Sequence, residues 1–174
     1  AWMLSCHKDG HSIVSNGKYE GRSLSEVISL WGDDSLGERA KKYDEFPILI
    51  KVIDANDKLS IQVHPDDKLA QERGLGNGKT EMWYVMDADN DAEIIDGFSK
   101  EITPEFYQKA LEVGKLTSCM NIEKPQNGDV FFIPAGRVHA LGKGLLIAEI
   151  QQTSDTTYRI SDYDRTDSNG NTRE

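Results

Sequence analysis

Two polar side chains stand out on a strand predicted between residues 59 and 64. The segment Leu59–Asp67 reads LSIQVHPDD, in which Gln62 and His64 alternate with the apolar Ile61 and Val63. Successive side chains of a strand point to opposite faces, so the amide and the imidazole share one face. Imidazole is a common metal ligand and carries protons near neutral pH. The spacing therefore predicts that this face of the strand lines a polar site.

Two further residues extend this pair to a candidate metal-binding set. Glu81 begins a predicted strand, and His139 follows a Pro-x-Gly turn that brings the chain back toward the sheet interior. Zn²⁺ and similar cations accept imidazole nitrogens and carboxylate oxygens at about 2.0–2.2 Å, and a catalytic site leaves one position open. The amide oxygen of Gln62 is a less usual ligand. On the residues alone, simple hydrogen bonding of Gln62 and His64 inside a barrel is the alternative.

The elements that must position these residues are mostly short strands. Apolar or alternating runs predict strands at 3–7, 12–15, 47–54, 59–64, 81–87, 92–98, 130–133, 145–150 and 157–161. Ser23 or Ser25 is expected to cap a short helix, and a weaker helical pattern covers 38–43. Thr103 and Pro104 start a longer helix that ends near Val113. Many strands around one substantial helix predict a mainly β domain, a sandwich or small barrel.

Composition and charge exclude several classes of function. The 174 residues carry a formal net charge of −10, which argues against a nucleic-acid-binding surface. An acidic protein can still hold an anionic small molecule in a locally positive pocket. No apolar run approaches the roughly 20 residues of a membrane span. Cys6 and Cys119 are the only cysteines and suggest no disulfide framework, so the expected location is the reducing cytoplasm.

A second motif strengthens the metal hypothesis. Residues 128–139 read GDVFFIPAGRVH, and the spacing Gly-x5-Pro-x-Gly-x2-His resembles the second signature of the cupin superfamily, whose histidine is a metal ligand. That signature continues to an asparagine where this chain has Lys143. Gln62-Val-His64 resembles the first cupin signature with one histidine replaced, and Glu81 follows after a longer loop.

With these departures from the general cupin pattern, the chain resembles one branch of the cupins, the zinc-dependent type I mannose-6-phosphate isomerases. Four motifs in order carry the resemblance across nearly the whole chain: LSIQVHPDD at 59–67, GKTEMWY at 78–84, IPAGRVHA at 133–140 and EIQQTSDTTYRI at 149–160. The resemblance implies a cupin-type β-sandwich or jelly-roll barrel with a few short helices. It also implies that residues 1–174 form a single catalytic cupin domain, expected to lack an N-terminal segment and a second C-terminal β domain.

The resemblance further implies one zinc ion per chain and an aldose–ketose isomerase. The reaction would interconvert mannose 6-phosphate and fructose 6-phosphate through a metal-assisted cis-enediol. The implied zinc ligands are Gln62, His64, Glu81 and His139. The implied catalytic residues are Arg159, Lys79 and Glu149, with the proton-transfer role open between Lys79 and Glu149. The implied substrate contacts are Lys51, Ser60 and Arg137.

Two other functions remain open from the sequence. A metal-containing cupin that binds or senses a sugar phosphate without turnover needs the metal set but not Arg159, Lys79 and Glu149 together, so their presence favours catalysis. A cupin oxygenase is the third hypothesis, and the glutamine ligand argues against it. The expected partner is a small-molecule sugar phosphate, not a nucleic acid or a membrane.

Overall fold

The computed structural model describes residues 1–32, 35–40, 42–43, 45–167 and 169–171. The strands are β1 (Trp2–Leu4), β2 (Ile48–Ala55), β3 (Ile61–Val63), β4 (Glu81–Ala88), β5 (Ile94–Phe98), β6 (Met120–Glu123), β7 (Val130–Ile133), β8 (His139–Leu141), β9 (Leu145–Gln152) and β10 (Tyr158–Ser161). The helices are α1 (Leu24–Trp31), α2 (Asp67–Glu72) and α3 (Pro104–Glu112), with 3₁₀ turns at Glu38–Ala40 and Leu116–Cys119.

The strands form two antiparallel sheets of five strands each. The first sheet has the order β1-β2-β9-β4-β7, and the second has the order β10-β3-β8-β5-β6. The long strands β2 and β9 pair over their whole lengths, from Ile48 opposite Gln152 to Ala55 opposite Leu145. The mainly β sandwich predicted from the sequence is confirmed.

An apolar cluster packs between the two sheets at one end. The first sheet contributes Trp83, Val85 and Ile147, and the second contributes Ile94 and Leu141. On β9 the side chains that point inward are buried in alternation, and they change character along the strand: Leu145 and Ile147 are followed by Glu149 and Gln151. The space between the sheets is therefore apolar at one end and polar at the other.

A second apolar cluster covers the outer face of the second sheet. Ile61 and Ala140 on this face pack with Ala110 of α3 and Leu116 of the following 3₁₀ turn. Val63 packs against the same cluster. Since Ile61 and Val63 point outward to the helix, Gln62 and His64 must point inward between the sheets.

Local sequence accounts for the N-terminal starts of the two longer helices, α1 and α3. Ser23 caps α1 in a reciprocal capping box, accepting from the Glu26 amide while the Glu26 carboxylate accepts from the Ser23 amide. Thr103 caps α3 by accepting from the Phe106 amide at 3.2 Å, and Pro104 occupies the first helical turn. The prediction for α3 is confirmed, and of the two serines proposed for α1 the cap is Ser23.

Several elements differ between the sequence prediction and the structure, among them the strand expected at 3–7, which is reduced to Trp2–Leu4, and β6, which was not predicted. The strand expected at 12–15 is wrong, since Ile13 forms only an isolated bridge to Ser23. Helix α2 was not predicted, although Asp66 caps it by accepting from the Leu69 amide at 2.8 Å. The helical pattern at 38–43 is reduced to the turn Glu38–Ala40, and position 41 lies outside the described residues. Among the helices that the structure describes, none is long and apolar enough to cross a bilayer.

Candidate metal centre and active site

Three of the four residues predicted as metal ligands meet at the polar end between the sheets. His64 follows β3, Glu81 begins β4 and His139 begins β8, so the three come from both sheets. Their candidate ligand atoms all lie within 4.8 Å of one another. The side chains are almost completely buried, with relative exposures of 2%, 2% and 0%. Residues separated by 75 positions in sequence thus form one compact group of donor atoms.

Backbone carbonyls fix the orientation of both imidazoles. Nδ1 of His64 lies 2.9 Å from the carbonyl of Thr156, and Nδ1 of His139 lies 2.8 Å from the carbonyl of Arg137. A carbonyl only accepts, so each Nδ1 carries a proton, and each Nε2 is turned toward Glu81. This arrangement is typical of metal-binding histidines, whose second nitrogen is held by a backbone or carboxylate oxygen.

The charges around Glu81 favour its ionised form. Its carboxylate lies 3.2 Å from Nε2 of His139 and 3.5 Å from Nε2 of His64, and the Lys79 ammonium lies at 3.2 Å. Burial opposes ionisation, but these two imidazoles and the lysine charge hold the pKa of Glu81 well below its usual range. Burial lowers the pKa of His64, which keeps its ring neutral. The group therefore offers one carboxylate and two imidazole rings.

The residues present fit a metal ion. Within the described part of the chain, both oxygens of Glu81 and Nε2 of His139 are buried atoms that have no hydrogen-bond partner. Buried polar atoms are nearly always satisfied, so such atoms facing one another call for a ligand. Two nitrogens and a carboxylate oxygen are donors that Zn²⁺ and related transition metals accept. The Lys79 ammonium also faces this group, 2.9 Å from Nε2 of His64.

Strand register brings Gln62 and Arg159 to the same face as His139. Gln62 on β3 lies opposite His139 on β8 and opposite Arg159 on β10. Directly paired residues of antiparallel strands project to one side of the sheet. Gln62 is half-buried, whereas Arg159 is exposed. The predicted fourth ligand therefore lies beside the three-residue group, and the predicted catalytic arginine lies next to it at the edge of the sheet.

A second polar group lies one row away on the first sheet. Lys51 and Glu149 are paired across β2 and β9, and the ammonium is 3.0 Å from Oε1 of the carboxylate. The Lys51 ammonium also donates to Oε1 of Gln151. The amide nitrogen of Gln151 donates to the carbonyls of Gln152 and Ser154, at 2.8 and 2.6 Å. The carboxylate of the buried Glu149 thus forms an ion pair with Lys51, and Gln151 holds Lys51 in place.

The remaining predicted substrate contacts lie toward the edge of the site. Ser60 is half-buried and precedes Gln62 by two positions. The side chain of Arg137 is 44% exposed and donates to Oδ1 of Asp96 at 3.0 Å. Asp96 pairs in register with His139, so this ion pair borders the group of His64, Glu81 and His139. The structure therefore places Lys51 inside and Ser60 and Arg137 farther out.

Sequence reasoning missed one residue that touches both polar groups. The indole nitrogen of Trp83 donates to Oε2 of Glu149 at 3.0 Å, and its ring packs edge-on against His139. Trp83 is not among the site residues predicted from the sequence. A signal was present in the sequence, since Trp83 lies two residues after Glu81 on one strand and must share its face.

A sandwich of two antiparallel sheets with a buried His–Glu–His group between them defines a cupin-type protein with a metal-compatible centre. A family model for the catalytic domain of type I phosphomannose isomerase matches residues 1–96. That match covers more than half of the chain, so the chain belongs to this family. The resemblance stated from the motifs is confirmed, and a metal is what this family suggests.

Individual relatives agree with the family match. The chain is 44% identical to mannose-6-phosphate isomerase ManA of Bacillus subtilis (strain 168) over 174 residues, covering 99% of this chain and 54% of the relative. It is 43% identical to mannose-6-phosphate isomerase of Streptococcus mutans serotype c over 176 residues, covering 99% of this chain and 53% of the relative. The chain therefore spans about half the length of these curated relatives.

Solved structures show the same fold. The crystal structure of mannose 6-phosphate isomerase from Bacillus subtilis superposes with a TM-score of 0.87 at 41% identity, covering 99% of this chain and 54% of that one. The structure of a putative mannosephosphate isomerase from Archaeoglobus fulgidus gives a TM-score of 0.75 at 30% identity, covering 92% and 53%. The cupin-type fold predicted from the sequence is confirmed.

Proposed function

We propose that the protein is an aldose–ketose isomerase that interconverts mannose 6-phosphate and fructose 6-phosphate. The observation that carries this proposal is the buried convergence of His64, Glu81 and His139, with Lys51 and Glu149 one row away. The relatives that share this half of the chain are named mannose-6-phosphate isomerases. Binding of a sugar phosphate without turnover would not require the pair of Lys51 and Glu149 beside the metal-compatible group.

We infer that the metal is zinc, one ion per chain. Gln62, His64, Glu81 and His139 would hold it, since two neutral imidazoles and a carboxylate are ligands that zinc favours. When bound, zinc would supply a positive charge that polarises and orients oxygens of the open-chain sugar. The protein's own groups must then move the proton.

The proton-transfer role is proposed for Glu149. Isomerisation takes a proton from C2 of the open-chain aldose and returns it to C1 of the cis-enediol, while the hydroxyl hydrogen passes from O2 to O1. Glu149 is buried and faces between the sheets, and its two oxygens lie 3.0 Å from the Lys51 ammonium and 3.0 Å from the Trp83 indole N–H. Lys79 faces Glu81 at 3.2 Å as a cation, which suits it to stabilise charge on the substrate.

The remaining predicted residues are assigned to substrate binding and charge stabilisation. Arg159 is exposed and pairs with Gln62, whose side chain faces between the sheets. The permanent positive charge of Arg159 is suited to stabilise a negatively charged enediolate oxygen of the substrate. The phosphate is assigned to Lys51, Ser60 and Arg137. Arg137 uses one donor on Asp96, and a guanidinium carries five N–H donors in all.

A coupled assay tests this proposal. Fructose 6-phosphate formation from mannose 6-phosphate is followed in the protein expressed from its full reading frame, before and after chelation and after zinc is restored. We expect turnover that chelation abolishes and zinc restores. Chelator-sensitive binding of the sugar phosphate without turnover would contradict the isomerase and support the alternative, a metal-containing cupin that only binds or senses it.

Arginine variants sharpen the assay. Arg159→Met should remove most of the turnover, because it deletes a fixed charge from the row of Gln62. Arg73→Met is the matched control, since Arg73 donates to the hydroxyl of Tyr158, a residue that pairs with the outward-facing Val63. Equal turnover in the two variants would remove Arg159 from the proposed site.

Two broader assignments belong to the same proposal. Residues 1–174 are proposed to be the catalytic cupin domain of a longer protein, which the half-length match to relatives supports. Mass spectrometry of the purified protein against its reading frame tests that assignment. A cytoplasmic location is proposed because Cys6 and Cys119 are both free thiols in the structure.

A further inference from the structure

Trp83 occupies the boundary between the apolar and polar ends of the sandwich. It is the largest of the fully buried side chains that the structure describes, at 1% relative exposure. On β4 it follows Glu81 by two residues and therefore shares its inward face. Across the sheet it lies directly opposite Glu149 of β9.

The indole of Trp83 holds one oxygen of Glu149. Its N–H donates to Oε2 at 3.0 Å, while the Lys51 ammonium lies 3.0 Å from Oε1. Each carboxylate oxygen thus faces its own donor, which fixes the plane of a side chain that is only 4% exposed. Hydrogen bonds to a buried carboxylate are stronger than those between neutral groups, so this contact constrains the carboxylate firmly.

The same indole contacts the metal-binding group from its other side. The Trp83 and His139 ring centroids lie 5.4 Å apart at an interplanar angle of 71°, an edge-on arrangement favoured by aromatic rings. His139 is held independently through Nδ1 by the Arg137 carbonyl. One rigid side chain therefore sets the spacing between a candidate ligand and the carboxylate of Glu149.

We propose that Trp83 is a positioning residue for the isomerase reaction, which holds Glu149 in the orientation needed for proton transfer at a fixed distance from His139. This inference rests on the proposed function. The contribution of Trp83 is the N–H donor and the ring edge, and the residue itself does not touch the substrate.

Trp83→Phe separates the donor from the ring, because phenylalanine keeps an aromatic edge but lacks the N–H. In the zinc-loaded protein from the full reading frame, we expect kcat per bound zinc to fall about ten- to hundred-fold, as loss of a hydrogen bond to a charged group implies. The KM for mannose 6-phosphate should change less than about twofold, since substrate binding is assigned to other residues. Bound zinc per chain should stay unchanged.

A second substitution answers the objection that the smaller ring disturbs packing. Benzothienylalanine at position 83 keeps the shape of tryptophan but carries sulfur in place of N–H, and it should reproduce the loss in kcat. Ile147→Val is the matched packing control, because Ile147 is fully buried in the apolar cluster, two residues before Glu149 on β9. It should lower the melting temperature and leave kcat per bound zinc unchanged.

The outcomes separate this inference from the proposed function. Turnover by the unsubstituted protein with unchanged kcat per bound zinc in both position-83 variants would overturn the positioning role alone. A loss explained wholly by missing zinc or unfolded protein would also overturn it. Absence of turnover in the unsubstituted, zinc-loaded protein would remove the isomerase assignment and the role of Trp83 with it.

Discussion

Backbone carbonyls outside the candidate centre orient its two imidazole rings. Thr156 and Arg137 contribute only backbone carbonyls, yet these carbonyls decide which nitrogen of each ring carries the proton. Glu81 supplies the negative charge, and no other acidic side chain lies in the same group of donor atoms among the described residues. Charge and tautomer at three residues therefore define what this site can bind.

Glu81→Gln should remove metal binding while preserving shape. The amide has nearly the volume of the carboxylate but lacks its charge, and it presents an N–H₂ group toward the imidazoles. We expect metal affinity to fall by more than about 100-fold, since residues that only support ligands already control about 10–100-fold. Metal per chain, measured by mass spectrometry after equilibration with buffered zinc, checks this.

A surface carboxylate provides the control for Glu81→Gln. Glu93 pairs with Lys124 at 2.8 Å, and both side chains are about half exposed or more. Glu93→Gln should change the free energy of unfolding by less than about 0.5 kcal/mol and leave metal content intact. Full metal occupancy in Glu81→Gln would show that this carboxylate is not a ligand.

The buried imidazole of His64 predicts a pH effect on the metal-stripped protein. Burial lowers its pKa below the ordinary value of 6.5, so below that pH the unfolded chain takes up a proton that the folded protein does not. The free energy of unfolding should therefore fall as pH drops from about 6.5 toward 5, by at most about 1.4 kcal/mol per pH unit for this one group.

Urea unfolding at several pH values measures this effect. Working above pH 5 keeps Glu81 mostly ionised in the folded and the unfolded protein. The stabilising contribution of Glu81 is lost mainly as the pH falls below the ordinary pKa of 4.5. His64→Gln should flatten the dependence. An equally steep decrease in that variant would assign the effect to other groups.

At this scale the sequence predicted which polar side chains share the inward face better than it predicted their contacts. Alternation around Gln62 and His64 correctly places both on the inward face, because the strand period is local. The contacts of Lys51 with Glu149 and Gln151 depend on the pairing of β2 with β9, about 100 positions apart, which no local pattern encodes. The sequence therefore indicated only a substrate-binding role for Lys51, whereas the structure also pairs it with a buried carboxylate.

Among the elements, the start of α2 tightly constrains the turn before β4. A Cβ atom on Gly78 would lie 2.5 Å from the carbonyl carbon of Asp66 and 2.5 Å from the amide nitrogen of Asp67. These are backbone atoms at the start of α2 and cannot rotate away. The Gly78 amide also donates to Oδ1 of Asp67 at 2.9 Å. The start of α2 thus fixes the position of Lys79 and, through it, the start of β4.

Gly78→Ala should displace this turn and with it the metal centre. We expect a loss of about 1–3 kcal/mol in the free energy of unfolding, typical of an overpacked site. Metal affinity should also fall, because Glu81 lies three residues on. Chemical denaturation and metal titration measure the two effects separately.

Gly74→Ala is the control in the same loop. A Cβ there meets nothing within 4 Å, and only its backbone φ of +66° disfavours alanine, a penalty of about 1–2 kcal/mol. It should leave metal affinity unchanged. Normal metal affinity in Gly78→Ala would show that β4 does not depend on this contact.

The sequence predicted some helices and strands more accurately than others. Helix α3 followed directly from Thr103 and Pro104, and β7 was predicted at its observed bounds. Helix α2 was missed because its capping residue Asp66 lies inside the motif that suggested a site, although Asp after Pro is a local cap signal. The false strand at 12–15 has the alternation of a strand but finds a partner only at Ile13.

The whole molecule is a two-layer sandwich whose interior changes from apolar to polar along its strands. Ile147, Glu149 and Gln151 of β9 show the change on one strand, and the second sheet repeats it from Leu141 to His139. The apolar end and the outer cluster under α3 bury the apolar side chains that stabilise the fold, and the polar end holds the buried charges. Fold class followed from strand count and motif order, but the meeting of the two polar ends required the pairing of both sheets.

The most direct test of this account is anomalous scattering at the zinc absorption edge, from crystals of the protein expressed from its full reading frame. We expect one strong peak at about 2.0–2.2 Å from Nε2 of His64, Nε2 of His139 and an oxygen of Glu81. Absence of a peak there in zinc-loaded crystals would contradict it. A peak only at His7, Asp9 and Asp155, the other histidine and acid group among the described residues, would contradict it equally.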